Sequence, residues 1–120
     1  MSFPSDIRAK NGTLMLCHFC FESAEGLSLD ELNAKASARG IGTEIVDCMA
    51  ACDHGPAAAI TSPGAWTYLL GNLTADDQDA LLWGAEALAG SADGLLPWEG
   101  RPARYRELIR GRIPPLPVKR

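Results

Sequence analysis

The sequence contains no apolar run that approaches the roughly 20 residues needed for a membrane-spanning helix. Residues 1–10 are polar and lack the apolar centre of a signal peptide. We therefore expect a cytoplasmic protein that does not associate with membranes. In that reducing compartment, four cysteines are more often metal ligands or redox groups than structural disulfides.

Catalytic patterns are also missing. The chain has only two histidines, and no Ser/His/Asp triad, phosphate-binding loop or paired-carboxylate site is recognisable in it. We therefore predict no catalytic residues, and a binding or electron-carrying protein rather than an enzyme with its own substrate.

Basic residues are scarce over residues 1–100, where 4 Lys and Arg stand against 14 Asp and Glu. Residues 101–120 reverse that balance, with 7 basic residues and one acid, Glu107. The acidic body would repel phosphates, so nucleic-acid binding is not expected. The basic end is most simply a solvated helix and tail, and the alternative is a docking surface for an acidic partner.

The length of 120 residues and the apolar fraction of 47% predict one globular domain over the whole chain. Within it we expect residues 1–12 to form an N-terminal tail. Residues 112–120 are rich in proline and basic residues and are expected to form an extended C-terminal tail.

The first half of the chain predicts a strand, a helix and a second strand. An apolar run over residues 13–16 indicates a buried strand that ends at Cys17, with a loop carrying Cys20 after it. Ser28 and Glu31 have the spacing of a capping box, which predicts a helix over residues 29–39. Residues 41–47 read as the second strand, which leads to Cys48.

The second half predicts a hairpin and two helices. Residues 57–70 form the hairpin, with Pro and Gly at the centre of a type II turn over residues 62–65. Thr74 is expected to cap the next helix and Gly90 to end it. A third helix is expected from Pro102, with an apolar stripe of Tyr105, Leu108 and Ile109.

These elements predict an α/β fold of the thioredoxin-like kind, with a mixed sheet in the order strand–helix–strand–strand–strand–helix and an extra C-terminal helix. The first two strands would be parallel and joined by a right-handed crossover.

Four cysteines in two close pairs carry the chemistry: Cys17, Cys20, Cys48 and Cys52. Each pair follows a predicted strand, and the carboxyl ends of parallel neighbouring strands meet at one edge of a sheet, so the four thiols are expected to converge. The spacing is compatible with a structural zinc, with a [2Fe–2S] cluster, and with a redox-active Cys17–Cys20 dithiol.

Two segments carry a family resemblance: Cys48–Pro56, with its C-x3-C-x3-P spacing, and the Pro63–Tyr68 hairpin. The first resembles the second half of the thioredoxin-like [2Fe–2S] ferredoxin signature, a superfamily that includes a small iron–sulfur subunit of respiratory NADH dehydrogenase. Over Thr13–Pro115 the chain is similar to small bacterial "predicted metal-binding proteins" of unassigned function, which also share an Asp93–Trp98 stretch. Those proteins resemble ones encoded near cobalamin-biosynthesis and cobalt-handling genes.

The resemblance implies a [2Fe–2S] cluster bound by all four cysteines and a role in electron transfer or in cluster or metal sensing. Typical thioredoxin-like ferredoxins place more residues between their first two cysteines, so two alternatives stay open. One is a zinc-binding interaction module or metallochaperone partner, and the other is a thiol–disulfide oxidoreductase that uses Cys17 and Cys20. A homodimer is compatible with each of them.

Four residues beside the cysteines are expected to support the site without binding the metal. His18 and His54 are expected as partly exposed neighbours that can donate hydrogen bonds to sulfur. Gly55 leaves room for the backbone near the metal, and Pro56 stiffens the approach to the third strand.

Overall fold

A five-stranded mixed sheet organises the protein, as seen in a computed structural model that describes residues 12–23, 26–49 and 55–115. The strands are β1 (Thr13–Cys17), β2 (Gly42–Val46), β3 (Ala58–Thr61), β4 (Thr67–Leu70) and β5 (Ile109–Ile113), in the spatial order β2-β1-β3-β4-β5. The helices are α1 (His18–Ser23), α2 (Leu29–Ala38), α3 (Gln78–Ala89) and α4 (Tyr105–Leu108). This mixed α/β architecture is compatible with the predicted thioredoxin-like fold.

The pairing of the strands confirms the predicted parallel first two strands and the predicted hairpin, and it adds a fifth strand, β5, that was not predicted. β1 and β2 are parallel and are joined through α2, while β1–β3, β3–β4 and β4–β5 are antiparallel. The sheet therefore has β1 near its centre and β2 and β5 at its two edges. None of the helices in the described part of the chain is long and apolar enough to cross a membrane.

Two rows of apolar side chains run across the sheet and form most of its buried face. Cross-strand register aligns them as Leu14–Ile60–Tyr68 and Leu16–Ala58–Leu70, all at most 3% exposed. Alternation along each strand puts these residues on one face. On the other face, Met15 and Leu69 are only half-buried.

Local signals explain α2 and the hairpin. The Ser28 hydroxyl accepts the Glu31 N–H at 3.1 Å, and the helix ends at Arg39, so the predicted helix over residues 29–39 is confirmed. In the hairpin, the Ala65 N–H donates to the Ser62 carbonyl at 3.0 Å. Gly64 has a φ of +77°, which the third position of a type II turn requires.

The helix predicted from Thr74 begins with a 3₁₀ turn, Ala75–Asp77, before α3. Thr74 and Asp77 form a complete capping box, in which Asp77 Oδ2 accepts the Thr74 N–H at 2.7 Å. Arg104, just before α4, donates to both Asp77 carboxylate oxygens at 2.9 and 3.1 Å. This ion pair joins the start of α3 to the C-terminal part of the chain.

Tyr105 is the largest fully buried side chain of the core, and it lies against Gly84 of α3. Its hydroxyl donates to the Ala80 carbonyl at 2.5 Å. A Cβ atom at Gly84 would overlap the Tyr105 hydroxyl and lie 2.9 Å from Ile60 Cδ1. Glycine is therefore required in this helix because the tyrosine passes so close to the backbone.

Three local expectations need correction. Cys20 lies in the short helix α1 and not in a loop. The predicted third helix has only four residues, and Ile109 begins β5 instead of extending the helical stripe. Because β5 pairs with β4 as far as Ile113, residues 112 and 113 belong to the sheet and not to the C-terminal tail.

Candidate metal centre

Three of the four cysteines lie at the carboxyl ends of the two parallel strands. Cys17 is the last residue of β1 and is aligned with Val46, the last residue of β2. Cys20 lies in α1, which begins directly after Cys17, and Cys48 follows Val46 by two residues. The prediction that the two cysteine-bearing segments meet at the carboxyl ends of the parallel strands is therefore confirmed for these residues.

Backbone hydrogen bonds hold those segments together. The Cys17 N–H donates to the Ala57 carbonyl at 3.2 Å, which ties the end of β1 to the start of β3. The Phe19 N–H donates to the Asp47 carbonyl at 3.2 Å, which ties α1 to the chain leaving β2. The second bond keeps α1, which carries Cys20, beside the segment that carries Cys48.

The sulfur of Cys17 is the most constrained of the three. Cys17 is fully buried and packs with Cys20 and Ala57, with Met49 against them. Burial opposes ionisation of this thiol, but hydrogen bonds from the backbone N–H groups of Cys20, Met49 and Phe19 and from the Cys20 thiol outweigh it. The pKa of Cys17 consequently lies below its ordinary value.

Cys17 and Cys20 are shielded from water, whereas Cys48 is exposed. A soft metal bound by these thiolates would therefore have one buried side and one side that faces solvent. Two carboxylates, Glu22 and Asp47, are also exposed next to these segments. The surface around the site is accordingly acidic.

The remaining predicted site residues lie in different surroundings. Cys52 and His54 lie outside the described residues. His18 is exposed, and its Nε2 atom is 3.9 Å from Glu22 Oε2, one helical turn away. Gly55 and Pro56 are half-buried and lead into β3, with a cis peptide bond between them. The Pro56 carbonyl accepts the Leu73 N–H at 3.2 Å, so Pro56 is fixed to the segment before α3.

Within residues 12–23, 26–49 and 55–115, no three His, Cys, Asp or Glu side chains are close enough together to hold a metal ion.

The N–H groups of Met49 and Phe19 lower the pKa of Cys17, and sequence reasoning did not single them out. They are backbone donors, which the side-chain identity of neither residue reveals. The position of Met49 between Cys48 and Cys52 was the only available signal, since the backbone between two closely spaced ligands tends to turn around the metal.

Comparison with known proteins gives one match. A family model described as "Protein of unknown function (DUF1636)" matches residues 14–115. No curated protein and no solved structure matches the chain significantly.

Proposed function

The chain belongs to the DUF1636 family over most of its length, and we propose that it is a thioredoxin-like ferredoxin whose Cys17, Cys20, Cys48 and Cys52 bind a [2Fe–2S] cluster. Its role would be electron transfer, or the sensing of clusters or metals, in the cytoplasm. When bound, a cluster of this kind accepts or releases a single electron at a potential set by its protein surroundings.

The observation that carries this proposal is the contact between Met49 and Cys17. Met49 packs against the buried cluster that contains Cys17, its N–H helps to lower the pKa of Cys17, and it follows Cys48 directly in the sequence. The second cysteine segment therefore lies against the first. A dithiol made of Cys17 and Cys20 would need no such contact, whereas a centre with four thiolates requires it.

The surroundings of Cys17 suit a thiolate ligand. Backbone N–H groups and the Cys20 thiol lower the pKa of Cys17, and N–H···S bonds of this kind stabilise negative charge and tune the potential of an iron–sulfur cluster. Burial of Cys17 and Cys20 would exclude water from one side of the centre, while the exposed position of Cys48 would leave the other side within reach of a partner.

The charge near the cysteines indicates what kind of partner would dock there. Glu22 and Asp47 are exposed on the segments that carry the cysteines, and the first 100 residues are strongly acidic. A redox partner with a basic docking face would be attracted to this end of the sheet.

Purification without oxygen, followed by iron, sulfide and zinc assays and a visible spectrum, tests the proposal. We expect a red-brown protein with about two irons and about two sulfides per chain. Cys48→Ser should lose the cluster as completely as Cys17→Ser, and Ser28→Ala, which leaves every thiol in place, should keep it. Stoichiometric zinc without iron or sulfide after anaerobic reconstitution would replace the ferredoxin by a zinc-binding interaction module.

One observation favours a second candidate, a thiol–disulfide oxidoreductase. Cys20 packs against Cys17, and its thiol helps to lower the pKa of Cys17, as expected for a pair in which one thiolate attacks a substrate disulfide and the other resolves the mixed disulfide. The products would be a Cys17–Cys20 disulfide and two substrate thiols. Cys48→Ser separates the two functions, because it should leave disulfide exchange intact and abolish cluster binding.

A further inference from the structure

An exposed tryptophan lies far from the cysteines in sequence, in the segment before α4. The side chain of Trp98 is 82% exposed, and the Arg101 guanidinium carbon lies 4.0 Å from the centre of its ring. Arg101 also donates to the carbonyls of Leu96, at 2.8 Å, and Pro97, at 3.1 Å. The ring and the guanidinium therefore form a fixed, solvent-facing pair of the two residue types most enriched at binding hot spots.

This pair borders a groove of about 620 Å³. Tyr105, which is fully buried, and Ile109, which is half-buried, contribute its apolar lining, and Arg101 and Arg106 contribute positive charge. Ile109 is also the first residue of β5. The groove is therefore continuous with the edge of the sheet.

β5 presents an open edge in the part of the chain that the structure describes. It pairs with β4 on one side and is the last strand in the sheet order. An edge strand offers unpaired backbone donors and acceptors to another extended chain. Its outermost residue, Ile113, is 57% exposed and adds an apolar side chain at the far end.

The positive charge along this edge favours an acidic strand as the one that pairs with β5. Residues 98–113 contain five arginines and two glutamates, and Arg104 is already paired with Asp77 and Glu107. In a symmetric antiparallel pairing of two copies about Gly111, Arg110 would face Arg112, and like charges in that position are destabilising. A strand with acidic side chains would form favourable pairs instead.

We propose that the β5 edge and the Trp98 groove together form a docking surface for an acidic, extended segment of a partner protein, which adds as a sixth strand and places an apolar side chain on Trp98. This surface lies at the sheet edge opposite β2 and the segment that leads to Cys48. It is independent of the metal centre and does not require any cofactor.

The probe is an end-blocked fluorescent peptide of about eight alternating Glu and Val residues, a length typical of a strand. Matched peptides replace Glu by Lys, or alternate Val by Pro, which cannot donate to a strand ladder. We expect the acidic peptide to bind full-length protein at least about tenfold more tightly than either control. Backbone amide exchange over residues 109–113 should slow on binding.

Trp98→Ala and Arg110→Glu should each weaken this binding about tenfold. Lys35→Glu, which reverses an exposed charge on α2 outside the surface, should change it less than about twofold. Metal content and visible spectrum should be the same in all three variants, so this surface can fail without affecting the cysteine proposal.

Equal binding of the Lys or Pro peptide would overturn the proposal, as would binding that Trp98→Ala and Arg110→Glu leave unchanged. Competition by inorganic phosphate alone would show a simple anion site and overturn it too. Dimerisation that competes with the peptide would assign the edge to a second copy of the chain.

Discussion

Cys17 and Asp77 are both buried groups that can carry negative charge, and the protein stabilises them in different ways. Burial alone would raise the pKa of Asp77, but hydrogen bonds from Arg104 and Thr74 hold it below its ordinary value. At Cys17 the groups that lower the pKa are backbone N–H groups and a neighbouring thiol. Asp77 therefore has its cation within the fold, whereas Cys17 is stabilised by neutral backbone dipoles and by the Cys20 thiol.

That difference separates a structural ion pair from a candidate ligand site. Arg104 holds Asp77 with two nitrogen atoms and also contacts Glu107 Oε1 at 2.6 Å. A carboxylate that accepts this many hydrogen bonds does not need a bound metal cation. A thiol held by dipoles, beside Cys20 and the segment that carries Cys48, gains most from a metal cation.

The largest effect expected is loss of the metal in cysteine variants. Cys48→Ala should abolish iron binding because it removes one of the four proposed ligands, yet it should leave the unfolding free energy of the metal-free protein almost unchanged because Cys48 is exposed. Iron assays and urea unfolding of metal-free protein measure the two effects. Full iron content in Cys48→Ala would show that Cys48 is not a ligand. It would also remove the contrast drawn above between Cys17 as a candidate ligand and Asp77 as part of a structural ion pair.

Asp77→Ala should have the converse effect. It removes the partner of Arg104 and the reciprocal half of the Thr74 cap, and we expect a loss of about 2–3 kcal/mol of unfolding free energy, discounted because Arg104 is one-third exposed. Bound iron per folded chain should not change. Asp76→Ala, at an exposed neighbouring position, is the matched control for urea unfolding, and equal losses in both would argue against the ion pair.

Gly84→Ala should destabilise the same region by overpacking. The added methyl group would collide with Tyr105 and Ile60, at a cost of about 1–3 kcal/mol that the better helix propensity of alanine only partly offsets. Gly90→Ala is the control, because its nearest neighbour would be the Glu86 carbonyl at 3.6 Å. Thermal unfolding should show a lower Tm for the first variant only.

The smallest effect expected is on the pH dependence of stability. Because the pKa of Asp77 is lowered in the folded protein, its contribution is complete above the unfolded value of about 3.9 and is lost as pH falls through the folded value. The difference in unfolding free energy between the wild type and Asp77→Asn, both metal-free, should therefore shrink at acid pH. A difference that stays constant from neutral pH to below pH ~3 would contradict this assignment.

Local signals predicted the elements that are stabilised locally. Ser28 caps α2, Gly64 fits its turn and Thr74 begins the next helix, each through bonds to residues within three positions. The parallel pairing of β1 and β2 also followed from the order of elements. That pairing predicts that Cys17 and Cys48 follow the same end of the two strands.

The features that the sequence did not reveal depend on contacts between distant residues. Residues 105, 108 and 109 have helical spacing, but pairing of β5 with β4, some forty positions earlier, overrides that pattern from Ile109 onward. α1 is too short to show a periodic pattern. The Asp77–Arg104 pair spans 27 positions, and no local rule links the two residues.

The two cysteine pairs follow strands that differ in how firmly they are held in the sheet. β1 is paired on both sides, whereas β2 has no fully buried residue and, among residues 12–23, 26–49 and 55–115, pairs only with β1. Edge segments with few buried contacts open locally more often than central strands. If the four cysteines bind a metal as proposed, the thiolates that follow β2 would therefore dissociate from it first. The chain would then release or receive its metal through Cys48 and Cys52, while Cys17 and Cys20 stayed bound.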